Sequence, residues 1–486
     1  MQRFALTLTT LLAALTLSAT AFGQPTFEQE ILSTQVISYQ RQVGDLDGDG
    51  LGDVVGIDDT TLHWYAAPGF TLGTLLTLSE SVHGYPLFRA DDLQLVDVDG
   101  DGDLDAVTRI GDSGNVNGEV VWLENPRPSS DVHGTWTLHT VGDAEYVKDI
   151  VIADFDGDGK PDVAAREHTV SHVWLQDGAD AWTARTLSHH SNEGAAVGDL
   201  DADGDPDLVL NGFWLATPSD PRTGTFTEHE IDDRWYSGQT GTWQINSSKV
   251  QVADVDGDGR LDVLLSHSEL PGYPVSWYSS TDPAGGVWTE HVVTPSYDLC
   301  HTLQAADFDG DGHIDVLAGA MADSDDRGLT LYLGDGGATW SADPIQNLGS
   351  YSAEVGDVDG DGDLDIVDIR NHDEAPTEIR FNESSRPVAV EPAPAVVGDL
   401  RAAPNPFNPS TTLRFELADA GPTAVLIHDA RGRTVRVLLD GVLSAGAQSV
   451  TWDGRGDDGR ALPSGAYFAE VRRGDLRTVH GLSLVR

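Results

Sequence analysis

The sequence predicts an all-β protein, seven repeated four-stranded units followed by a small β-sandwich, and three observations lead there. One acidic motif recurs seven times, with successive starts 45 to 57 residues apart. Short apolar runs of strand type flank its copies, where long amphipathic helices are missing. The composition agrees, because 53 Gly and 23 Pro supply the tight turns that many short strands need. The chain has 28 Lys and Arg against 80 Asp and Glu, a formal net charge of -52. That balance argues against nucleic acid as a partner, since most of the surface would repel phosphate. A hydrophobic content of 39% is nevertheless enough for packed cores.

In chain order, residues 1–23 read as an export signal: Arg3, then an apolar run from Phe4 to Leu17, then the small-residue pattern around Ala19, Ala21 and Gly23. The mature protein is expected to be secreted or held at the outer cell surface. No later stretch is apolar for the roughly 20 residues that a membrane helix needs. Cys300 is the only cysteine, so no disulfide within the chain can stabilise an exported protein, and the thiol is expected to be a small buried hydrophobe.

The repeated motif supplies another means of stabilisation. Each copy carries Asp at loop positions 1, 3, 5 and 9 and Gly at position 6. The quartets are Asp45, Asp47, Asp49 and Asp53; Asp97, Asp99, Asp101 and Asp105; Asp154, Asp156, Asp158 and Asp162; and Asp199, Asp201, Asp203 and Asp207. They continue with Asp254, Asp256, Asp258 and Asp262; Asp307, Asp309, Asp311 and Asp315; and Asp357, Asp359, Asp361 and Asp365. Carboxylates at this spacing, with a backbone carbonyl at position 7, make an oxygen cage for a hard cation such as Ca2+, and up to seven structural ions are expected. Without a cation the carboxylates would repel one another. A helix-flanked calcium loop is excluded because its twelfth position needs a bidentate Glu. Here that position holds Gly56, Thr108, Ala165, Leu210, Leu265, Ala318 and Asp368.

After each loop comes an apolar strand with an aromatic residue: Trp64, Trp122, Trp174, Trp214, Trp277, Tyr332 and Phe381. These are expected in the cores between units. A fourth strand follows in most repeats, opened by Trp136, Trp182, Phe226, Trp288 or Trp340. Four strands per repeat at this period define a propeller blade. The seventh repeat lacks its fourth strand, and Phe27 to Ile31 fit the missing pattern. The N-terminal strand is therefore expected to complete blade seven and remove two open sheet edges. His139, His229 and His291, one per blade, are expected at exposed strand positions.

Segments such as Ala305-Ala306-Asp307-Phe308-Asp309-Gly310-Asp311-Gly312-His313-Ile314-Asp315-Val316 resemble FG-GAP or VCBS-type repeats, similar to the propeller of integrin alpha chains. The resemblance covers about residues 24–386 and implies a seven-bladed β-propeller with calcium hairpins. Its relatives include adhesion receptors, lectins and propeller-shaped polysaccharide lyases, so it leaves function open.

Residues 387–399 read as a Pro-rich linker. From residue 400 the composition changes, with 11 Arg against 9 acidic residues, and six short alternating runs predict a small sandwich over 400–486. Pro404-Asn405-Pro406-Phe407-Asn408-Pro409, Trp452-Asp453-Gly454-Arg455 and Ser464-Gly465-Ala466-Tyr467-Phe468 resemble the Ig-like tail of flagellar hook capping proteins and of Por-type (type IX) sorting domains. That likeness implies export or display, with removal of the tail possible. Arg455-Gly456-Asp457 reads as a turn.

A ligand is expected on the face opposite the acidic hairpins, where the remaining connections gather Arg89, Arg109, Tyr146, Lys148, Arg166, His168, His189, His190, Arg234, Trp235, Tyr236, Trp243, His267, Tyr297, His301, Arg370 and His372. Flat aromatics with Arg suit a glycan. The leading expectation is a binding or adhesion module for a glycan or protein. The alternatives are a lyase-like enzyme using Arg166 with His168 or Arg370 with His372, and a structural envelope component. No catalytic residue is assigned.

Overall fold

The computed structural model describes residues 24–485 apart from 34–39, 89–91, 115, 129–130, 191, 238–242, 246, 338, 372–376, 385–396, 406, 418–420, 430–432, 458 and 474–475. The expected export signal, most of the expected linker, Arg89 and His372 lie outside the described residues. The chain forms two compact units, Met1–Ser385 and Arg386–Arg486. Among the described residues no helix is long and apolar enough to cross a membrane.

Among the described residues the first unit forms seven antiparallel sheets, all but one of four strands. The first runs Gln40–Gly44, Asp53–Ile57, Thr61–Ala66, Thr71–Thr77, each strand paired with the next. An acidic hairpin always joins the first strand to the second: residues 45–53 here, 254–262 between Ser248–Ala253 and Asp262–His267. In the second sheet two short segments, Leu87–Phe88 and Gln94–Val96, both pair with Asp105–Gly111. The N-terminal strand Phe27–Ser33 pairs antiparallel with Thr377–Asn382, Phe27 opposite Asn382, and so supplies the outer strand of the sheet built by Ser352–Gly356, Asp365–Ile369 and Thr377–Asn382. That outer position is where the sequence expects it.

Apolar side chains alternate along these strands and meet those of the neighbouring sheet, giving one core for each pair of neighbours. Trp122 and Val107 of the second sheet pack with Val163 and Trp174 of the third, and Trp214 of the fourth packs with Val263 and Tyr278 of the fifth. The series returns on itself: Val54, Tyr65 and Phe70 of the first sheet form one core with Val358, Val367 and Ile379 of the seventh. The first strands of successive sheets also adjoin one another, Gln40–Gly44 lying beside both Gln94–Val96 and Ser352–Gly356. A Cβ on Gly52 would stand 2.5 Å from the Asp357 carbonyl oxygen, so these two hairpins touch through backbone. Repeats of four strands packed in this way fit a propeller.

His139, His229 and His291 depart from expectation. Each stacks on the tryptophan paired with it across the third and fourth strands: Trp122–His139 at 4.1 Å, Trp214–His229 at 4.6 Å and Trp277–His291 at 4.0 Å between ring centroids. They are half-buried because the imidazole caps an indole that would otherwise face water.

The second unit is a sandwich. One sheet holds Val397–Ala403, Thr411–Leu417 and Gly446–Trp452; the other holds Thr434–Leu443, Gly421–Asp429, Gly465–Arg473 and Leu476–Leu484. Phe407, Leu413, Val425, Trp452 and Tyr467 meet in its core. Its first strand begins at Val397, inside the stretch expected as linker. Arg455-Gly456-Asp457 is a pinned turn: Trp452 Nε1 donates to the Arg455 carbonyl (3.0 Å) and Asp457 Oδ1 accepts from the Val437 amide (3.1 Å).

Candidate functional site

The seven acidic hairpins share one internal hydrogen-bond scheme. The position-1 carboxylate accepts from the position-6 glycine amide at 2.8–3.0 Å in every copy, Asp45 from Gly50 and Asp357 from Gly362 among them. Position 3 accepts from the position-5 amide at 3.1–3.3 Å. Position 5 accepts from the position-7 amide at 2.8–3.2 Å. These bonds curl the loop so that the carboxylates of positions 1, 3, and 5 or 9 converge. In groups such as Asp45, Asp47 and Asp53 or Asp254, Asp256 and Asp262, one oxygen from each residue lies within 4.8 Å of the others.

The curl depends on positive φ at positions 4 and 6. Gly48 and Gly50 stand at 76° and 95°, and the other copies repeat the pair, except that the fourth hairpin places Ala202 at φ 60°. Glycine is unstrained there and alanine is not.

The position-9 aspartates, Asp53, Asp105, Asp162, Asp207, Asp262, Asp315 and Asp365, are all buried. Oδ2 of each accepts from the position-2 amide at 2.8–3.0 Å. In six copies Oδ1 accepts from an amide at the end of the third strand, as Asp365 does from Asn382 at 2.7 Å. Burial, aided by the neighbouring loop carboxylates, pushes all of them except Asp53 up to about 7, and Asp53 moves in the same direction. Two position-1 oxygens, Asp254 Oδ1 and Asp307 Oδ1, are buried without any hydrogen bond. Hard oxygen donors, mutual repulsion and buried unpaired oxygens are the chemistry that a hard cation satisfies, so the residues present fit calcium. Asp368, at position 12 of the last copy, faces away from its loop, bonded to Ser350 Oγ (2.7 Å) and paired with Arg380 (3.4 Å).

Three side chains also link neighbouring hairpins. Asn125 Nδ2 donates to the carbonyl of Leu46 in the preceding hairpin (3.1 Å), Gln176 Nε2 to Val98 (2.9 Å) and Asn382 Nδ2 to Phe308 (2.9 Å). The amides of these three residues are held by their own position-9 aspartates.

On the opposite side, much of the material expected to meet a ligand is used within the protein. Arg109 is buried, with Nε donating to the Ala144 carbonyl (3.0 Å). Arg166 is buried and bonded to the Gly194 carbonyl and to Asn211 Oδ1, so it is not free to neutralise a substrate carboxylate; His168 stacks on Tyr146 at 5.3 Å. Lys148 pairs with Glu193 (2.7 Å), His190 with Glu228 (3.1 Å), and Arg370 with Glu378. Arg234 pairs with Asp232 and Glu290 and lies 4.7 Å over the Trp243 ring. Trp235 and His267 are buried and stacked at 4.7 Å, and Trp235 Nε1 donates to Tyr278 Oη (2.8 Å). Tyr236 donates to Glu230 (2.9 Å), Tyr297 to the Ala318 carbonyl (2.8 Å), and His189 bonds Ser171 Oγ (2.9 Å).

What sequence reasoning missed is the channel between the first strands. A cavity of about 400 Å3 is lined by residues three and five places before the hairpins, among them Gln42, Asp92, Asp149, Lys249, Gln304 and Glu354, together with His301. Counting back from each Asp at position 1 would have found them, because the repeat sets one register for all seven strands.

Comparison with known proteins bears on both units. The FG-GAP-like repeat model matches residues 97–165, 154–210, 254–318 and 307–367, and the FlgD Ig-like domain model matches residues 405–475. FG-GAP-like repeats and a FlgD Ig-like domain are therefore present. No curated protein matches the chain. Among solved structures, it is similar to an Agrocybe aegerita lectin that recognises non-reducing terminal N-acetylglucosamine, at 17% identity over 66% of this chain and 81% of that one, TM-score 0.44. It is also similar to PorZ, a surface component of the type-IX secretion system of Porphyromonas gingivalis, at 11% identity over 91% and 65%, TM-score 0.36. A third is the V. cholerae biofilm matrix protein Bap1, at 12% identity over 94% and 70%, TM-score 0.33.

Proposed function

We propose that this chain is an exported, calcium-stabilised seven-bladed β-propeller that binds a glycan or protein partner through the face opposite its acidic hairpins. The Ig-like tail, on this reading, serves export or surface display as a sorting domain. The observation that carries the proposal is the sevenfold hairpin: one carboxylate scheme repeated in every sheet, with buried oxygens left unpaired at Asp254 and Asp307. Asp at positions 1, 3, 5 and 9 would hold each ion together with the position-7 carbonyl. Calcium would supply the charge that lets these carboxylates lie together, doing for an exported ring what disulfides do elsewhere. Hairpins filled with ions leave the other face for recognition.

The test incubates the mature protein, with calcium, against neutral, uronic and sulfated polysaccharides, following retention and the absorbance of new unsaturated uronate together. Retention without absorbance supports the binding module. Rising absorbance overturns it in favour of a lyase, and silence in both channels turns the search to a protein partner.

A further inference from the structure

The first strands of the sheets share one register relative to their hairpins. Five places before each position-1 aspartate stand Gln40, Asp92, Asp149, Gly194, Lys249, Thr302 and Ser352; three places before stand Gln42, Gln94, Val151, Ala196, Gln251, Gln304 and Glu354. All but Gly194 line the same cavity of about 400 Å3, within the range of small-molecule sites. One place before, six of the seven residues are Gly or Ala (Gly44, Ala153, Gly198, Ala253, Ala306 and Gly356; the seventh is Val96), small enough for neighbouring strands to close up. A Cβ on Gly356 would come within 2.7 Å of Val43, and one on Gly198 within 2.8 Å of Leu261. The cavity therefore lies toward the strand starts, on the side away from the hairpins.

Its lining has a definite chemistry. Three carboxylates, Asp92, Asp149 and Glu354, share the lining with one ammonium, Lys249, while the buried guanidiniums of Arg41 and Arg166 act from behind on Glu354 and Asp149. Asp92 already accepts from Gln94 Nε2 (3.1 Å) and the Ile150 amide (2.8 Å), and Asp149 from the Gly194 amide (2.9 Å). Glu354 has one long bond, from Gln304 Nε2 at 3.4 Å. Among the described residues, none makes a hydrogen bond or ion pair within 4.0 Å with the Lys249 ammonium or with the side-chain amides of Gln42 and Gln251. Burial and the nearby Asp92 carboxylate push Glu354 up to about 8 against the pull of Arg41 and Lys249, so a cationic ligand placed on it would favour its ionised form. The hairpins answer a metal ion with oxygen alone. Here a protein ammonium shares the layer and amides offer donors and acceptors together, which suits an organic ligand that carries an amine and hydroxyls.

We propose that this axial cavity binds an amine-bearing polyol of monosaccharide size, a non-acetylated amino sugar, with its ammonium on Glu354 and Asp149 and its hydroxyls on Lys249, Gln42 and Gln251. The inference rests on the ring proposed above and narrows the partner class to a charged sugar unit.

The experiment titrates D-glucosamine, N-acetylglucosamine and glucose into the mature chain at pH 6.5 in 1 mM calcium, by calorimetry, with the melt of the same sample recorded with and without chelator. Glucosamine should bind at least tenfold more tightly than the other two. Glu354→Gln should weaken it at least fivefold, and so should Gln251→Leu, which leaves the charges in place. Equal binding of all three sugars, or no glucosamine binding by protein that melts cooperatively, overturns the proposal. Displacement of glucosamine when calcium is raised to 10 mM overturns it in favour of a metal site. A melt indifferent to chelator locates the failure in the calcium-ring reading, whereas a calcium-dependent melt without amine binding locates it in the cavity.

Discussion

Replacing Asp365 and Asp357 by alanine, separately, tests whether position 9 is structural beyond any ion it holds. Asp365 is fully buried and accepts from the Val358 amide at 2.9 Å and the Asn382 amide at 2.7 Å. Asp365→Ala leaves two buried N–H groups unpaired, at about 1–3 kcal/mol each, or ~2–6 kcal/mol in all. Asp357 accepts from Gly360 (2.7 Å) and Gly362 (3.0 Å) on the exposed side of the same loop. Water can replace it there, so Asp357→Ala should cost about 0.5 kcal/mol or less without calcium. For the unit Met1–Ser385, an unfolding entropy of about 2.1 cal/mol/K per residue turns ~2–6 kcal/mol into a Tm loss of about 2–7 °C. The assay is a calorimetric melt of both variants in chelator and in 1 mM calcium. Calcium should penalise both equally by a further ~0.4–1.4 kcal/mol, the worth of one site with a dissociation constant of roughly 0.1–1 mM. Equal losses for the two variants in chelator would refute the structural role. An Asp357→Ala melt that matches wild type in calcium would refute the cation role of this loop.

Chelation of the unaltered protein should lower Tm by several degrees, and calcium should restore it; a melt unchanged in excess chelator contradicts the seven-ion reading. Ala202→Gly should raise stability by roughly 0.5–1 kcal/mol, because glycine relieves the left-handed backbone at φ 60° at the cost of a freer unfolded chain; a lower Tm counts against it. Burial lowers the affinity of His139 for its proton, but its bonds to Asp180 (2.6 Å) and Glu124 (2.9 Å) outweigh that and hold its pKa above the usual histidine value. A raised folded pKa stabilises fully below the unfolded value near 6.5 and fades as pH rises through the folded one. His139→Gln should therefore cost more at pH 5.5 than at pH 9, measured by urea denaturation, and a pH-independent loss contradicts the pairing. Cys300 is buried and its thiol is pushed up to about 12. It should resist a thiol reagent at pH 8 until denaturant is added, and rapid native labelling would be the opposing result.

The repeat is legible in the sequence because its chemistry is local. Asp at alternate positions with Gly at position 6 can only curl one way, so the hairpin, the two strands it joins and their sevenfold recurrence follow from nine residues at a time. The outer strand Phe27–Ser33 was legible for a different reason: a four-strand pattern left one vacancy, and one unassigned segment matched it. The fate of the cations on the other face was not legible. Arg166 reads as a loop residue, yet its partners Gly194 and Asn211 belong to the next repeat, 28 and 45 residues on. Which residues of one sheet meet those of the next depends on how the sheets stack, which no window along the chain contains. The stacked histidines are the intermediate case, since cross-strand register puts His139 opposite Trp122 and could have been counted.

On the calcium reading, the same stacking lets an ion in one hairpin act beyond its own sheet. In six of the hairpins the position-9 aspartate stands between two loyalties: its carboxylate faces the loop that a cation would fill, and it holds the amide of the residue ending the third strand. In three sheets that residue is Asn125, Gln176 or Asn382, whose side chain grips the hairpin of the preceding sheet. A cation in one loop would thus fix its aspartate, and through it the amide residue and the neighbouring loop. Without cations, burial and the neighbouring loop carboxylates raise the affinity of the position-9 carboxyls for a proton, and a protonated carboxyl accepts those amides more weakly. Loss of ions should therefore loosen contacts between sheets before it loosens the sheets themselves. Hydrogen exchange in chelator should then rise first at the amides of Asn125, Gln176 and Asn382, which the position-9 aspartates hold, while strand amides such as those of Val107 and Val263 stay protected.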